Sequence, residues 1–196
     1  MRKEIVLKSC NPREYGEEVV ECSVIENADI NAYLATIPEE RKFYATKIAP
    51  VAARAGIVGE EIHTTLLTER NGQVYILSEE DNTIREREVD GTMLPDFVIT
   101  NIKSTSNEEY VVKAANLIKM YTQNEDGTWT PSPDERLLTQ VDEDVIIKTA
   151  WGSEAVCLKG SYIVTYNAEE NDFNTLEQGA FNSTYKKTET KVKNKK

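Results

Sequence analysis

The chain is 196 residues long, with 39% hydrophobic and 29% charged residues, so it can build one fair-sized domain or two small ones around a modest core. No apolar run is long enough to cross a bilayer. The net charge of −11 opposes long-range attraction to nucleic acid and to anionic membranes.

Residues 4–8, E-I-V-L-K, read as a first strand that Asn11-Pro12 breaks. Glu18 to Ile25 is rich in β-branched residues and reads as a second. Asn27 to Ile37 predicts a helix, with Asn27 or Asp29 as its cap. Ile30, Tyr33, Leu34 and Ile37 share one face of it at i, i+3, i+4 and i+7, and Pro38 stops it. A charged link, Glu39 to Lys42, precedes a strand from Phe43 that ends near Pro50.

Ala52 to Gly56 reads as a turn or one short helical turn, and Ile57 to Leu67 as a strand. Asn71-Gly72 between Thr64–Leu67 and Val74–Leu77 predicts a type I′ hairpin, because both residues accept positive φ. Thr83 to Val89 alternates charge as an exposed strand, and Asp90-Gly91 turns the chain. Gln123 to Thr128, with Pro131-Ser132-Pro133, reads as a polar loop dividing the chain. Val141 to Thr149 resumes as a strand, and Ala150 to Ser153 is a turn. From Ala155 to Tyr185 the pattern is strand, turn at Gly160, strand, loop, short strand and a closing helix.

This last stretch has an upstream echo. Pro95 to Thr100 lies on Gly160 to Thr165 at an offset of 65, and Leu117 and Tyr121 lie on Phe181 and Tyr185 at 64. Each of those pairs is spaced i, i+4, which puts two large groups on one side of a helical turn. Val58 to Ile62 matches Val141 to Val145 as an acidic opener at an offset of 83, so the first copy holds a longer insert. The sequence therefore predicts an α+β, mainly β fold. It places an N-terminal strand–helix segment at 1–42, related small β-rich units at 43–122 and 123–187, and a disordered basic tail at 188–196.

Chemistry-bearing patterns are sparse. His63 is the single histidine, so a Ser-His-Asp or Cys-His arrangement would need it, and its I-H-T-T setting places it on the polar face of a strand. Cys10, Cys22 and Cys157 are scattered and read as buried apolar residues in a reducing, cytoplasmic setting, not as a disulfide framework or zinc cage. The Met1 to Ile5 stretch lacks the apolar region of a secretory signal. There is no D-x-D-x-D-G loop, no G-x-x-x-x-G-K-S/T and no G-x-G-x-x-G. Glu60-Glu61 and Asp142-Glu143-Asp144 are adjacent acids, whose side chains on a strand face opposite sides; they read as solvation. No catalytic residue, metal or cofactor is expected.

Trp129 and Trp151 sit beside turn residues, where a ring serves as a stacking platform or, more plainly, as the lid of a small core. Arg54, framed in A-A-R-A-G, is a candidate anion anchor. Lys47, Arg54, Trp151 and Lys159 form the candidate ligand-binding set. The last eleven residues hold six Lys and one Glu, which leaves the rest of the chain at −16, and they read as a solvated, frayed end.

Lys159-Gly160-Ser161-Tyr162-Ile163, with Phe181 and Tyr185 behind it, resembles the small-domain family named for a Pro-Gly-Asp-Tyr-Gly motif, common in phage and bacterial genomes. The resemblance covers about thirty residues and keeps the Gly and the Tyr of the motif. The first copy keeps Asp96 with the aromatic Phe97 and has Pro95 at the Gly position. Families of this kind carry no assigned chemistry, so the resemblance implies a phage or prophage setting and no mechanism. The combined expectation is a non-enzymatic phage- or prophage-type binding protein. It would capture a small anionic ligand or a host protein, for instance as a counter-defence sponge for a nucleotide signal. The alternatives are a structural accessory of a virion or larger assembly, and a small metal-dependent hydrolase. Neither membrane nor nucleic acid is an expected partner; a homo-oligomer is compatible.

Overall fold

A computed structural model describes residues 1–11, 13–102 and 108–188. Of the disordered basic tail expected at 188–196, Thr188 is described and its N–H donates to the Tyr44 carbonyl at 2.9 Å, while 189–196 lie outside the described residues. Strands hold 54% of the described residues and helices 15%, so the fold is mainly β, as the alternation of the sequence predicts. The chain divides into two compact units. The first joins Met1–Thr46 to the segment from Asp134 onward; the second, Lys47–Pro133, is inserted between them in sequence.

In the first unit, β1 (Arg2–Ser9) and β2 (Glu17–Ile25) form an antiparallel pair with Ile5 opposite Val20. Period-2 alternation buries Leu7, Val20, Cys22 and Val24 and leaves Val6 and Val19 in solvent. The helix expected over 27–37 starts as a 3-10 turn at Asn27–Asp29 and becomes α1 (Ile30–Thr36). Pro38 ends it, and β3 (Lys42–Lys47) follows a second 3-10 turn at Glu39–Arg41.

The inserted unit begins with β4 (Ala52–Ala55), where the sequence predicts a turn. Alanines have little strand preference of their own; this strand exists because Ala53 and Arg54 pair with Ile99 and Val98. Residues 57–60, expected as strand, form a turn in which the Glu60 N–H donates to the Ile57 carbonyl at 2.8 Å. β5 (Glu61–Arg70) and β6 (Gln73–Thr83) make the expected hairpin, with φ of 54° at Asn71 and 76° at Gly72.

The exposed strand expected over 83–89 is interrupted. Ile84 turns into the core, and only then does β7 (Glu86–Val89) begin. A second left-handed pair, Asp90 and Gly91, folds it back on β8 (Thr92–Pro95) as a two-stranded ribbon. β9 (Phe97–Thr100) pairs with β4 on one side and with β10 (Glu109–Val112) on the other. α2 (Ala114–Met120) leads directly into β11 (Tyr121–Gln123). The polar loop expected after Tyr121 is a small hairpin with β12 (Trp129–Pro131). Alternation along β9 makes two small cores. Ile99 packs with Val51 and Leu117 under Phe97, Tyr121 and Trp129; Val98 packs with Ile62 and Ile84.

Back in the first unit, β13 (Glu135–Gln140) precedes the hairpin of β14 (Val145–Lys148) and β15 (Glu154–Cys157). The strand expected from Val141 starts four residues later. β16 (Tyr162–Asn167) and β17 (Asp172–Leu176) form the next hairpin; α3 (Gln178–Thr184) and β18 (Tyr185–Lys187) close the unit. Its sheets run β15-β14-β2-β1, with β14 parallel to β2, and β17-β16-β13-β3-β18. On one side of β16, Ile163 and Phe173 pack against Ile30, Leu34 and Ile37 of the α1 segment. On the other, Tyr162 and Val164 pack with Leu138, Phe181 and Tyr185, and the Tyr162 and Phe181 ring centroids lie 4.7 Å apart.

The two units share an order of parts: a hairpin, two paired strands, a seven-residue helix and a three-residue strand opening on a tyrosine. The registers agree as well. Phe97 lies opposite Val112 and Ala55, and Tyr162 opposite Leu176 and Gln140. The Tyr121 N–H bonds the Leu117 carbonyl, and the Tyr185 N–H bonds the Phe181 carbonyl. The β7–β8 ribbon has no counterpart among the described residues of the first unit, where the four residues 158–161 join β15 to β16.

Gly56 shows how tightly the inserted unit closes. A Cβ on it would lie 2.7–2.8 Å from three side-chain carbons of Ile84. Gly56→Ala is expected to cost about 1–3 kcal/mol by overpacking. Urea denaturation checks this, and in an Ile84→Ala background the same change should cost measurably less.

Candidate functional site

Lys47 is half-buried in the inserted unit. Its Nζ donates to the Tyr110 hydroxyl at 3.3 Å and to the Tyr121 hydroxyl at 3.2 Å. Nearby, burial pushes the Glu108 carboxyl up, an effect opposed by its hydrogen bond with Asn101 and by the Lys47 charge. Arg54 is not a lone cation: its guanidinium forks onto Glu60 at 3.0 and 2.7 Å. That fork, with the Ile57 N–H, holds the Glu60 carboxyl down to about 2. Arg54 thus staples the β4–β5 turn, and Glu60 is its partner and not a mere solvating acid. Trp151 is 61% exposed in the β14–β15 turn of the first unit. Lys159, also in the first unit, is exposed, and its backbone N–H donates to Asp144 Oδ1 at 2.8 Å. Trp129 is a core lid, packed on Val51, Ile99 and Leu117. Cys22 and Cys157 are buried and burial pushes the Cys157 thiol up, whereas Cys10, expected inside, is exposed.

A concave feature of the inserted unit lies elsewhere. A cleft of about 380 Å³ is lined by Asp81, Asn82 and Thr83 at the end of β6, Arg85 and Arg87 around the start of β7, Asp96, Val111 and Lys113. Its floor is fixed by Ile84 and Asp96. Ile84 is buried, and its N–H donates to the Glu60 carbonyl at 2.8 Å. The Asp96 side chain is 3% exposed. Its Oδ2 accepts the Arg85 backbone N–H at 3.2 Å and its Oδ1 accepts Arg87 Nε at 3.0 Å. The Asp96 backbone is held too, its N–H by the Arg85 carbonyl at 2.8 Å and its carbonyl by the Gly56 N–H at 2.9 Å.

This geometry preorganises a cation. Arg87 is anchored through Nε alone; among the described residues its two terminal nitrogens have no protein partner, and the side chain stays 41% exposed. A guanidinium locked at its base presents a planar donor edge suited to a carboxylate or phosphate. Arg85 and Lys113 add two exposed cations, neither in an ion pair among the described residues. These three cations face two lining carboxylates among the described residues: Asp96, paired with Arg87, and Asp81, whose Oδ1 lies 2.7 Å from His63 Nδ1. A locally cationic cleft therefore sits in a protein of net charge −11.

Among the described residues no three His, Cys, Asp or Glu side chains gather as a metal site, and no helix is long and apolar enough to cross a membrane. No protein-family model, curated protein or solved structure matches the chain. Sequence reasoning passed over Arg85, Arg87 and Lys113. The signal that could have found them is the Asp90-Gly91 turn, which doubles T-I-R-E-R-E-V back onto M-L-P-D and so brings Arg87 against Asp96.

His63 is exposed on β5, and its pKa is raised by Asp81 first and Glu79 second. Because the folded-state value lies above the unfolded one, this contribution to stability is complete below about pH 6.5 and fades as pH rises through the folded-state value. NMR titration of the imidazole should show the elevated pKa, and Asp81→Asn should lower it more than Glu79→Gln. Asp96→Ala should cost about 1.5–3 kcal/mol in chemical denaturation, the range for a hydrogen bond to a charged group.

Proposed function

We propose that the chain is a non-enzymatic binding protein that captures a small anionic ligand in the cleft beneath the β7–β8 ribbon. The observation that carries this reading is the Arg87 guanidinium, clamped at Nε by a buried carboxylate with its donor edge left for a guest. Arg85 and Lys113 complete the field around it. In this reading the cations orient an anion and hold it. The binding role expected from Lys47 and Arg54 thereby passes to Arg85, Arg87 and Lys113.

The same reading takes the two units as copies of one building block, supported by their common order of elements and common registers. The copy with the ribbon is the one that has acquired the cleft. A phage or prophage setting, with capture of a host-derived anion, fits the resemblance of the Gly160–Tyr162 strand entry to the Pro-Gly-Asp-Tyr-Gly family.

Calorimetry at low ionic strength against orthophosphate, sulfate and small phosphorylated metabolites tests the proposal. At least one anion should bind, more weakly as salt is raised. Arg87→Ala should weaken it by about tenfold or more, the equivalent of one charge-assisted hydrogen bond. Absence of heat with every anion overturns the reading.

A further inference from the structure

Resting on that reading, we infer that the ligand class is a compact phosphomonoester of a polyhydroxylated molecule, such as a sugar phosphate, and not a nucleotide. Three features of the cleft carry this. The first is the match of charge. Arg85, Arg87 and Lys113 supply three cations, which outnumber the two lining carboxylates, Asp96, paired with Arg87, and Asp81. A phosphomonoester carries about −1.5 to −2 at neutral pH, against −1 for a carboxylate, and presents three strong acceptor oxygens to such a set.

The second is what the lining lacks. Its one apolar member is Val111, and no aromatic ring lines the cleft. Proteins that hold a nucleobase draw about 1–3 kcal/mol per base from an aromatic platform. A nucleotide would leave its base unstacked here. The volume of about 380 Å³ also stands near the lower end of small-molecule sites, about 300–1,000 Å³.

The third is the wall of Asp81, Asn82 and Thr83. Together they offer a carboxylate acceptor, an amide that donates and accepts, and a hydroxyl that does both. This set suits neighbouring hydroxyl groups, each of which also donates and accepts. Phosphate bound by the arginines would leave a short hydroxylated body within reach of that wall.

The experiment is calorimetry of the full chain and of folded variants with four probes: orthophosphate, glucose phosphate, adenosine monophosphate and glucose. Glucose phosphate should bind at least about tenfold tighter than both orthophosphate and adenosine monophosphate, and glucose should give no heat. Asn82→Ala and Thr83→Ala should each shrink the advantage of glucose phosphate over orthophosphate. Arg87→Lys should weaken glucose phosphate and orthophosphate together. Adenosine monophosphate binding as tightly as glucose phosphate, or an advantage untouched by both wall variants, overturns the ligand class and leaves the anion site standing. Failure of all phosphorylated probes overturns the anion site as well.

Discussion

A single buried carboxylate organises the inserted unit. Taking Asp96 out of water is costly unless its charge is met by donors in good geometry. The fold meets it twice through the side chain, with the Arg85 N–H and Arg87 Nε, while its backbone bridges Arg85 and Gly56. These four bonds fasten the base of the β7–β8 ribbon to the end of β4. They fix where the ribbon leaves the sheet and what Arg87 can present. Remove the acid and the ribbon loses its anchor and the guanidinium its orientation.

The first unit makes the contrast clear. Ser161 stands in its turn as Asp96 does in the other, taking the Val141 N–H on its carbonyl where Asp96 takes that of Gly56. Ser161 is buried, but its hydroxyl only accepts the Gln178 N–H. With no carboxylate there is no arginine to orient, and with four residues in place of the ribbon there is no wall to enclose a guest. The ribbon of the inserted unit is where the cations gather.

The local signals of the sequence were reliable where the chain acts alone. Asn71-Gly72 demands left-handed φ, and the hairpin is there. Ile30, Leu34 and Ile37 lie at helical spacing, and all three are buried. Leu117 with Tyr121 and Phe181 with Tyr185 mark helix ends of the same geometry. What resisted reading was set by partners distant in sequence. Ala52–Ala55 is a strand only because β9 lies beside it. Arg54 looked isolated because Glu60 reaches it across a turn that was itself expected as strand. Arg87 meets Asp96 through the fold-back of a ribbon, and Lys113 reaches the cleft from beyond β10. The candidate site could not be seen in any one window, since its members span residues 81–113 and share no motif.

One difference between the units bears on where the chain can take up extra length. In the first, the Gly160 N–H donates to the Val141 carbonyl at 2.9 Å and cinches the turn shut. The matching position of the other is Pro95, which has no N–H to give. A turn without that rung can be lengthened at no loss of a bond, and the connection that ends there, 84–96, is nine residues longer than 158–161 in the first unit. Tolerance of added length is therefore local: the joint that gives up a hydrogen bond is the joint at which a longer excursion costs least.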